Sequence, residues 1–204
     1  MGTPRAKPLT EPLAKPAAGL LLAAGGGSRM GLAKALVDDP AGGSFVERGV
    51  RVLRDGGCAP VVVVVGAQAD RAAALAAAAG AELVVEARDW ATGQSASLRR
   101  GLETLRDTDA DVACVLLVDL PDVGAEVVAT VLAAAGDTTD ALARAAYRGL
   151  PGHPVVIGRD HWEAIAETAT GDRGARDYLA IRAHLVVEVG HQASGRDVDT
   201  PDDL

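Results

Sequence analysis

The chain has 204 residues, 49% of them apolar but only 2% aromatic, and a formal net charge of −8. That length supports one domain with a full core, which Val, Leu and Ala must fill. An acidic chain without a basic cluster cannot neutralise the phosphates of duplex nucleic acid or of an anionic membrane, so neither is expected as a partner.

In chain order, residues 1–16 come first, with prolines at positions 4, 8, 12 and 16. Proline removes a backbone donor and fixes φ, so a disordered tail is expected there, followed by a single domain over 17–204. Arg5, Lys7 and Lys15 precede an apolar stretch at 17–24. That stretch is short and runs into glycines rather than a cleavage site, which argues against a secretory leader. No apolar run reaches membrane-spanning length. Cys58 and Cys114 sit beside strand-like segments and read as small buried hydrophobes in a reducing compartment. The cytoplasm is the expected location.

A strand over about 18–24 empties into Gly25-Gly26-Gly27, with Arg29 and Lys34 close behind. Glycines let the backbone take positive φ and bring bare N–H groups against a ligand. Successive donors make a concave anion site, and two cations complete it. Two other phosphate loops fit less well. The Walker loop fails because Leu32 and Ala33 separate Gly31 from Lys34. The dinucleotide fingerprint fails at Met30, and the second strand ends in Gly66-Ala67-Gln68, without the acid that would hold a ribose.

Ser44-Phe45-Val46-Glu47 is a capping box that starts a helix, and Gly56-Gly57 stops it. Val61–Val65 is an uninterrupted apolar strand, suited to a sheet covered on both faces. The pattern then predicts a helix at 69–79, a strand at 82–86, a loop carrying Trp90, a helix at 95–106 and a strand at 112–118 ending at Asp119. Beyond lie a helix at 124–135, strands near 140–147 and 153–157, helices near 160–169 and 174–182, and a strand at 185–189. Such alternation predicts an α/β three-layer sandwich with a mainly parallel, Rossmann-like sheet.

In these sheets ligands bind beyond the carboxyl ends of the strands. Asp119 leaves its strand at the same edge as the glycine loop, placed to hold Mg²⁺ beside a polyphosphate, although Asp before Leu120-Pro121 is also an ordinary turn residue. Near the C-terminus, Thr200, Pro201, Asp202 and Asp203 read as a helix start. Asp197 and Asp199 remain, and strand alternation would put both on one side, where one could supply a second carboxylate. Gly149 to Val155 reads as a stiff loop around a lone His153. Residues 171–176 present Arg173 and Arg176 on a tight turn, where arginine forks suit a phosphate or carboxylate and solvated surface charge is the alternative.

Residues 22–34 resemble the opening pattern of the MobA-like nucleotidyltransferases, Leu-Ala-Ala-Gly-x-Ser-x-Arg-Met-Gly-x-Pro-Lys. The match holds at Leu22, Ala23, Ala24, Gly25, Arg29, Met30, Gly31 and Lys34, and departs at Gly27 and Ala33. The segments at 90–98, 119–121, 151–154, 171–176 and 197–204 resemble most closely the molybdenum cofactor cytidylyltransferase branch, so the likeness covers about 18–204. It implies the nucleotide-diphospho-sugar-transferase-like fold, and transfer of a nucleoside monophosphate, CMP in this branch, to a phosphorylated pterin with release of pyrophosphate.

The resemblance further implies that Arg29, Lys34 and Asp119 are catalytic. Ala24, Gly25, Gly26, Gly27 and Ser28 would bind the nucleotide together with Arg29, Lys34 and Ser97. Asp119 and Asp199 would hold Mg²⁺, and His153, Arg173 and Arg176 would face the acceptor. Proteins of this fold group also resemble NAD(P)H-dependent reductases of quinone-like dyes, such as nicotine blue oxidoreductase, which would take NADPH or NADH instead of the metal. A non-catalytic nucleotide sensor, or a chaperone for a molybdoenzyme partner, is a third reading.

Overall fold

The computed structural model describes residues 15–204. Residues 1–14, most of the expected proline-rich tail, lie outside the described part. Strand and helix alternate: β1 (Ala18–Ala23), α1 (Phe45–Asp55), β2 (Val61–Val65), α2 (Ala69–Ala78), β3 (Leu83–Glu86), α3 (Gln94–Leu105) and β4 (Val112–Leu117). They are followed by α4 (Ala125–Ala135), β5 (Leu142–Tyr147), β6 (Leu150–Gly158), α5 (Trp162–Thr168), α6 (Arg176–Ala180) and β7 (Leu185–Glu188).

The seven strands form one sheet in the order β3-β2-β1-β4-β6-β5-β7. All neighbours are parallel except β6, which runs antiparallel to both β4 and β5. Helices α1, α2 and α4 cover one face, and α3, α5 and α6 the other, each over its own apolar core. Strand β1 shows the division. Leu21 and Ala23 join the first core, while Leu20 and Leu22 join the second. Small residues set the layer spacing. A Cβ on Gly49 of α1 would fall 2.7 Å from Leu21, and one on Gly101 of α3 would fall 2.5 Å from Leu20. These two helices therefore rest directly on opposite faces of one strand. The capping box at Ser44 and Glu47 forms as the sequence predicts. Among the described residues no helix is long and apolar enough to cross a membrane.

Two expectations need correction. The segment around His153 is not a loop. β6 begins at Leu150 and pairs with β5 as far as Tyr147, across a turn at Arg148-Gly149 where both residues have positive φ. Proline is tolerated because β4 pairs only from Val155 onwards. Residues 150–154 thus have an open edge, where a missing N–H costs little. The second correction concerns Asp197 and Asp199. No strand forms there, because 193–199 is irregular, so alternation does not place them together.

Candidate active site

The carboxyl ends of β1, β2 and β4 lie along one sheet edge, where the connections carry the candidate residues. After Ala23 the chain runs irregularly to a single 3-10 turn at Lys34–Leu36. Gly27 has φ +58°, and a Cβ there would stand 2.0 Å from the Leu32 carbonyl oxygen, so only glycine fits. Its own carbonyl accepts from the N–H groups of Met30 and Gly31 at 2.9 and 3.0 Å. This tight turn sends Lys34 back toward the sheet edge.

There Lys34 Nζ donates to Asp119 Oδ2 and to Asp199 Oδ1, each at 2.6 Å. Arg29 pairs with the other oxygen of Asp199 at 2.8 Å. Lys34 and Asp119 are only 14% and 17% exposed, whereas Arg29 is 67% exposed. Burial works against the Lys34 ammonium, but hydrogen bonds and charges from Asp119 and Asp199 outweigh it and raise its pKa above the ordinary value. The same Lys34 hydrogen bond holds the Asp199 carboxyl below the usual range.

Asp199 reaches this place because its segment is tied down on both sides. The Val198 N–H donates to the Asp119 carbonyl at 2.9 Å. Asp122 Oδ2 accepts from the Ser194 N–H and hydroxyl at 2.6 Å each. Asp203 caps the following 3-10 turn and accepts from the Thr200 N–H at 2.9 Å. Arg48 of α1 donates to the carbonyls of Leu120 and Val123 and holds the segment after Asp119. Val198 is buried and Asp197 exposed, so of the two acids only Asp199 enters the site.

A cleft of about 310 Å³ opens beside this cluster. Leu22, Leu117 and Val118 line it, with Ala24 to Gly27 and Lys34 on one side and Trp90, Gly93, Gln94 and Ser97 on the other. Trp90 occupies a slot that glycines leave open. A Cβ on Gly26 or Gly66 would fall 2.9 or 2.6 Å from its indole. Helix α3 starts at the cleft, and its first N–H is taken by Asp172 Oδ1 at 3.2 Å. The Ala96 N–H donates to the Gly93 carbonyl at 3.1 Å, and the positive end of the helix dipole favours an electron-rich ligand.

Of the expected nucleotide-binding residues, Ala24, Gly25, Gly26, Gly27, Lys34 and Ser97 line the cleft. Ser28 and Arg29 lie in the exposed turn beside it, Arg29 reaching in through Asp199. His153 lines a small recess that shares Leu22 and Gln94 with the main cleft. Burial lowers its pKa to about 4, helped by the charges of Arg144 and Arg176. Arg173 is engaged by Asp177, with Nε to Oδ1 at 2.8 Å. Gln94, Asp172 and Arg144 were not singled out by sequence. For Arg144, a lone cation in the strand Leu-Ala-Arg-Ala-Ala-Tyr was the available signal.

The donor set suits a divalent cation. The two carboxylates converge on the Lys34 ammonium, and Asp119 Oδ1, buried without a hydrogen-bond partner among the described residues, is the oxygen left for a cation. Among the described residues no group of three or more His, Cys, Asp or Glu is placed to hold a metal ion. Water and phosphate oxygens would have to complete the shell, which is the usual habit of Mg²⁺.

A sheet whose first strand opens into a glycine loop, with remote carboxylates clamped on one lysine across a cleft, defines an α/β protein of the nucleotide-diphospho-sugar-transferase type. More specifically, the chain belongs to the MobA-like NTP transferase domain family, whose sequence pattern matches residues 19–189. It is 32% identical over 195 residues to nicotine blue oxidoreductase of Paenarthrobacter nicotinovorans, covering 91% of this chain and 93% of that protein. Its fold is similar to a nucleotidyl transferase from Methanothermobacter, with TM-score 0.76, 22% identity and coverage of 93% and 94% of the two chains. It is similar also to Rv0371c of Mycobacterium tuberculosis in complex with manganese, with TM-score 0.71, 24% identity and coverage of 93% and 96%.

Proposed function

We propose that this protein transfers a nucleoside monophosphate, in the first instance CMP, from a nucleoside triphosphate to a phosphorylated acceptor such as the molybdopterin cofactor, in the cytoplasm. The observation that carries this reading is Lys34 Nζ bridging Asp119 and Asp199 at 2.6 Å beside a cleft walled by the glycine loop. An acceptor phosphate oxygen attacks the α-phosphorus. The new O–P bond forms as the bridge to the β-phosphate breaks, and the electron pair leaves with pyrophosphate. No covalent enzyme intermediate is required, only charges placed in advance.

In this reading the backbone of residues 24–28, Arg29 and Lys34 hold the triphosphate, while the Ser97 hydroxyl contacts base or ribose. His153 and Arg176 face the acceptor, and Arg173 joins them only by leaving Asp177. Asp119 and Asp199 would hold Mg²⁺, which supplies Lewis-acid neutralisation of the phosphoryl oxygens when bound.

The test is pyrophosphate release from CTP, GTP and ATP, with and without Mg²⁺ or Mn²⁺, using molybdopterin cofactor as acceptor. Release that needs both acceptor and divalent ion, and is lost in Lys34→Met, is the expected result. The name of the 32% identical relative favours a second reading, NAD(P)H-dependent reduction of a quinone-like dye. Loss of nicotinamide absorbance with such a dye, and no pyrophosphate from any triphosphate, would establish it instead. Triphosphate binding without turnover, unchanged by Asp119→Asn, would mark a sensor or a molybdoenzyme chaperone.

A further inference from the structure

The acids of the site are already answered by the chain's own cations. Asp199 offers Oδ1 to Lys34 at 2.6 Å and Oδ2 to Arg29 at 2.8 Å. Asp119 offers Oδ2 to Lys34 at 2.6 Å, and its Oδ1 is buried without a hydrogen-bond partner among the described residues. Two negative and two positive groups therefore cancel. No pair of oxygens, one from each acid, is both free of a cation and open to solvent.

Lys34 is the part that can move. Ala35 and Leu36 pin the backbone in the core, while the Lys34 side chain lines the cleft beside Ala24 to Gly27. Its flexible stem lets the ammonium travel from the acids to a phosphate in the glycine loop without disturbing the sheet. Arg29 is mostly exposed, and a solvated partner gives way at little cost.

We propose that Lys34 is an internal stand-in for the divalent cation. It holds Asp119 and Asp199 in place, and it must swing to the triphosphate before a divalent ion can take both acids. Metal and triphosphate are then taken up together rather than one after the other. A divalent ion arriving alone meets a neutralised cluster with a cation at short range, which repels it. A triphosphate arriving alone meets a lysine held by two short charge-assisted hydrogen bonds. Arriving together they exchange partners, and the charges are matched again. The destination of the swing rests on the transferase reading, but the competition for the two acids does not.

The experiment counts free Mn²⁺ by electron paramagnetic resonance as the ion is titrated into the full chain without nucleotide. The proteins are the unmodified chain, Lys34→Met, Arg29→Gln and the double variant Lys34→Met with Asp119→Asn, each checked for folding by circular dichroism. Lys34→Met should tighten Mn²⁺ binding by about tenfold or more, because it frees one oxygen on each acid. A residue that merely supported the site would weaken binding when removed. Arg29→Gln changes an exposed side chain and should tighten Mn²⁺ binding by about threefold. The double variant should lose the gain, which locates the ion at Asp119. With CTP present the order reverses, and the unmodified protein should bind the Mn²⁺–CTP complex about tenfold more tightly than Lys34→Met does.

Mn²⁺ affinity that is unchanged or weaker in Lys34→Met, or in Arg29→Gln should the first variant not fold, would overturn the proposal. So would a gain that survives Asp119→Asn. If Mn²⁺ binding tightens as expected but CTP binds to no variant, the competition stands and the transferase reading falls. If CTP releases pyrophosphate but Mn²⁺ affinity rises in neither variant, the transferase reading stands and the competition falls.

Discussion

The two ends of the site hold positive charge in opposite ways. At the glycine-loop end, Lys34 lies between two carboxylates and Arg29 reinforces one of them. At the β6 end, the charge of Arg176 acts on Arg144 and on His153, and among the described residues neither arginine pairs with a carboxylate. A compensated cluster holds its geometry through its own ion pairs, whereas an uncompensated one carries unfavourable energy.

The contrast breaks hardest at Asp119. Asp119→Asn should lower pyrophosphate release by on the order of a thousandfold, with the far-ultraviolet circular dichroism preserved. An unchanged rate would move the chemistry away from this cluster. Stability should then respond with opposite signs at the two ends. Lys34→Met strands Asp119, leaves Asp199 with Arg29 alone, and should cost about 2–3 kcal/mol in urea unfolding, whereas Arg144→Met should add about 1 kcal/mol. Equal signs would erase the distinction.

Acid titration sharpens it further. The folded-state pKa of His153 lies near 4, below its ordinary 6.5. As pH falls through that window the unfolded chain binds the proton first, so stability is lost between the two values. Asp199 behaves differently. Lys34 holds its carboxyl below the ordinary 3.8, so its contribution is present above that value and disappears as pH falls toward the folded pKa. His153→Gln should remove about 2 kcal/mol of the loss in the upper window and leave the lower one intact, as read from unfolding midpoints at stepped pH.

The smallest effect is expected at Asp122, which anchors Ser194 and Gly195 ahead of Asp199. Asp122→Ala should cost about 1 kcal/mol of stability and raise KM for the triphosphate more than it lowers kcat.

The order of elements was legible because buried strands such as Val61–Val65 and capped helices such as α1 carry their own periodicity. The meeting of the glycine loop with Asp119 followed from where two parallel strands end. Other features were not legible. Pro151, Gly152 and Pro154 suppress any strand signal around His153, and only the absence of a β4 neighbour there lets the strand form. Asp197 and Asp199 look alike in sequence, yet bonds from Val198 and Asp203 turn only one of them into the site. Nothing adjacent to Arg144 reveals that His153 and Arg176 are its neighbours, because the pairing arises across a hairpin and from an overlying helix. The slot for Trp90 likewise depends on two glycines in different loops.

Lys34 and Asp199 are 165 positions apart. A chain cut short after β7 would keep every strand of the sheet and the glycine loop but lose Asp199, leaving Lys34 with Asp119 alone.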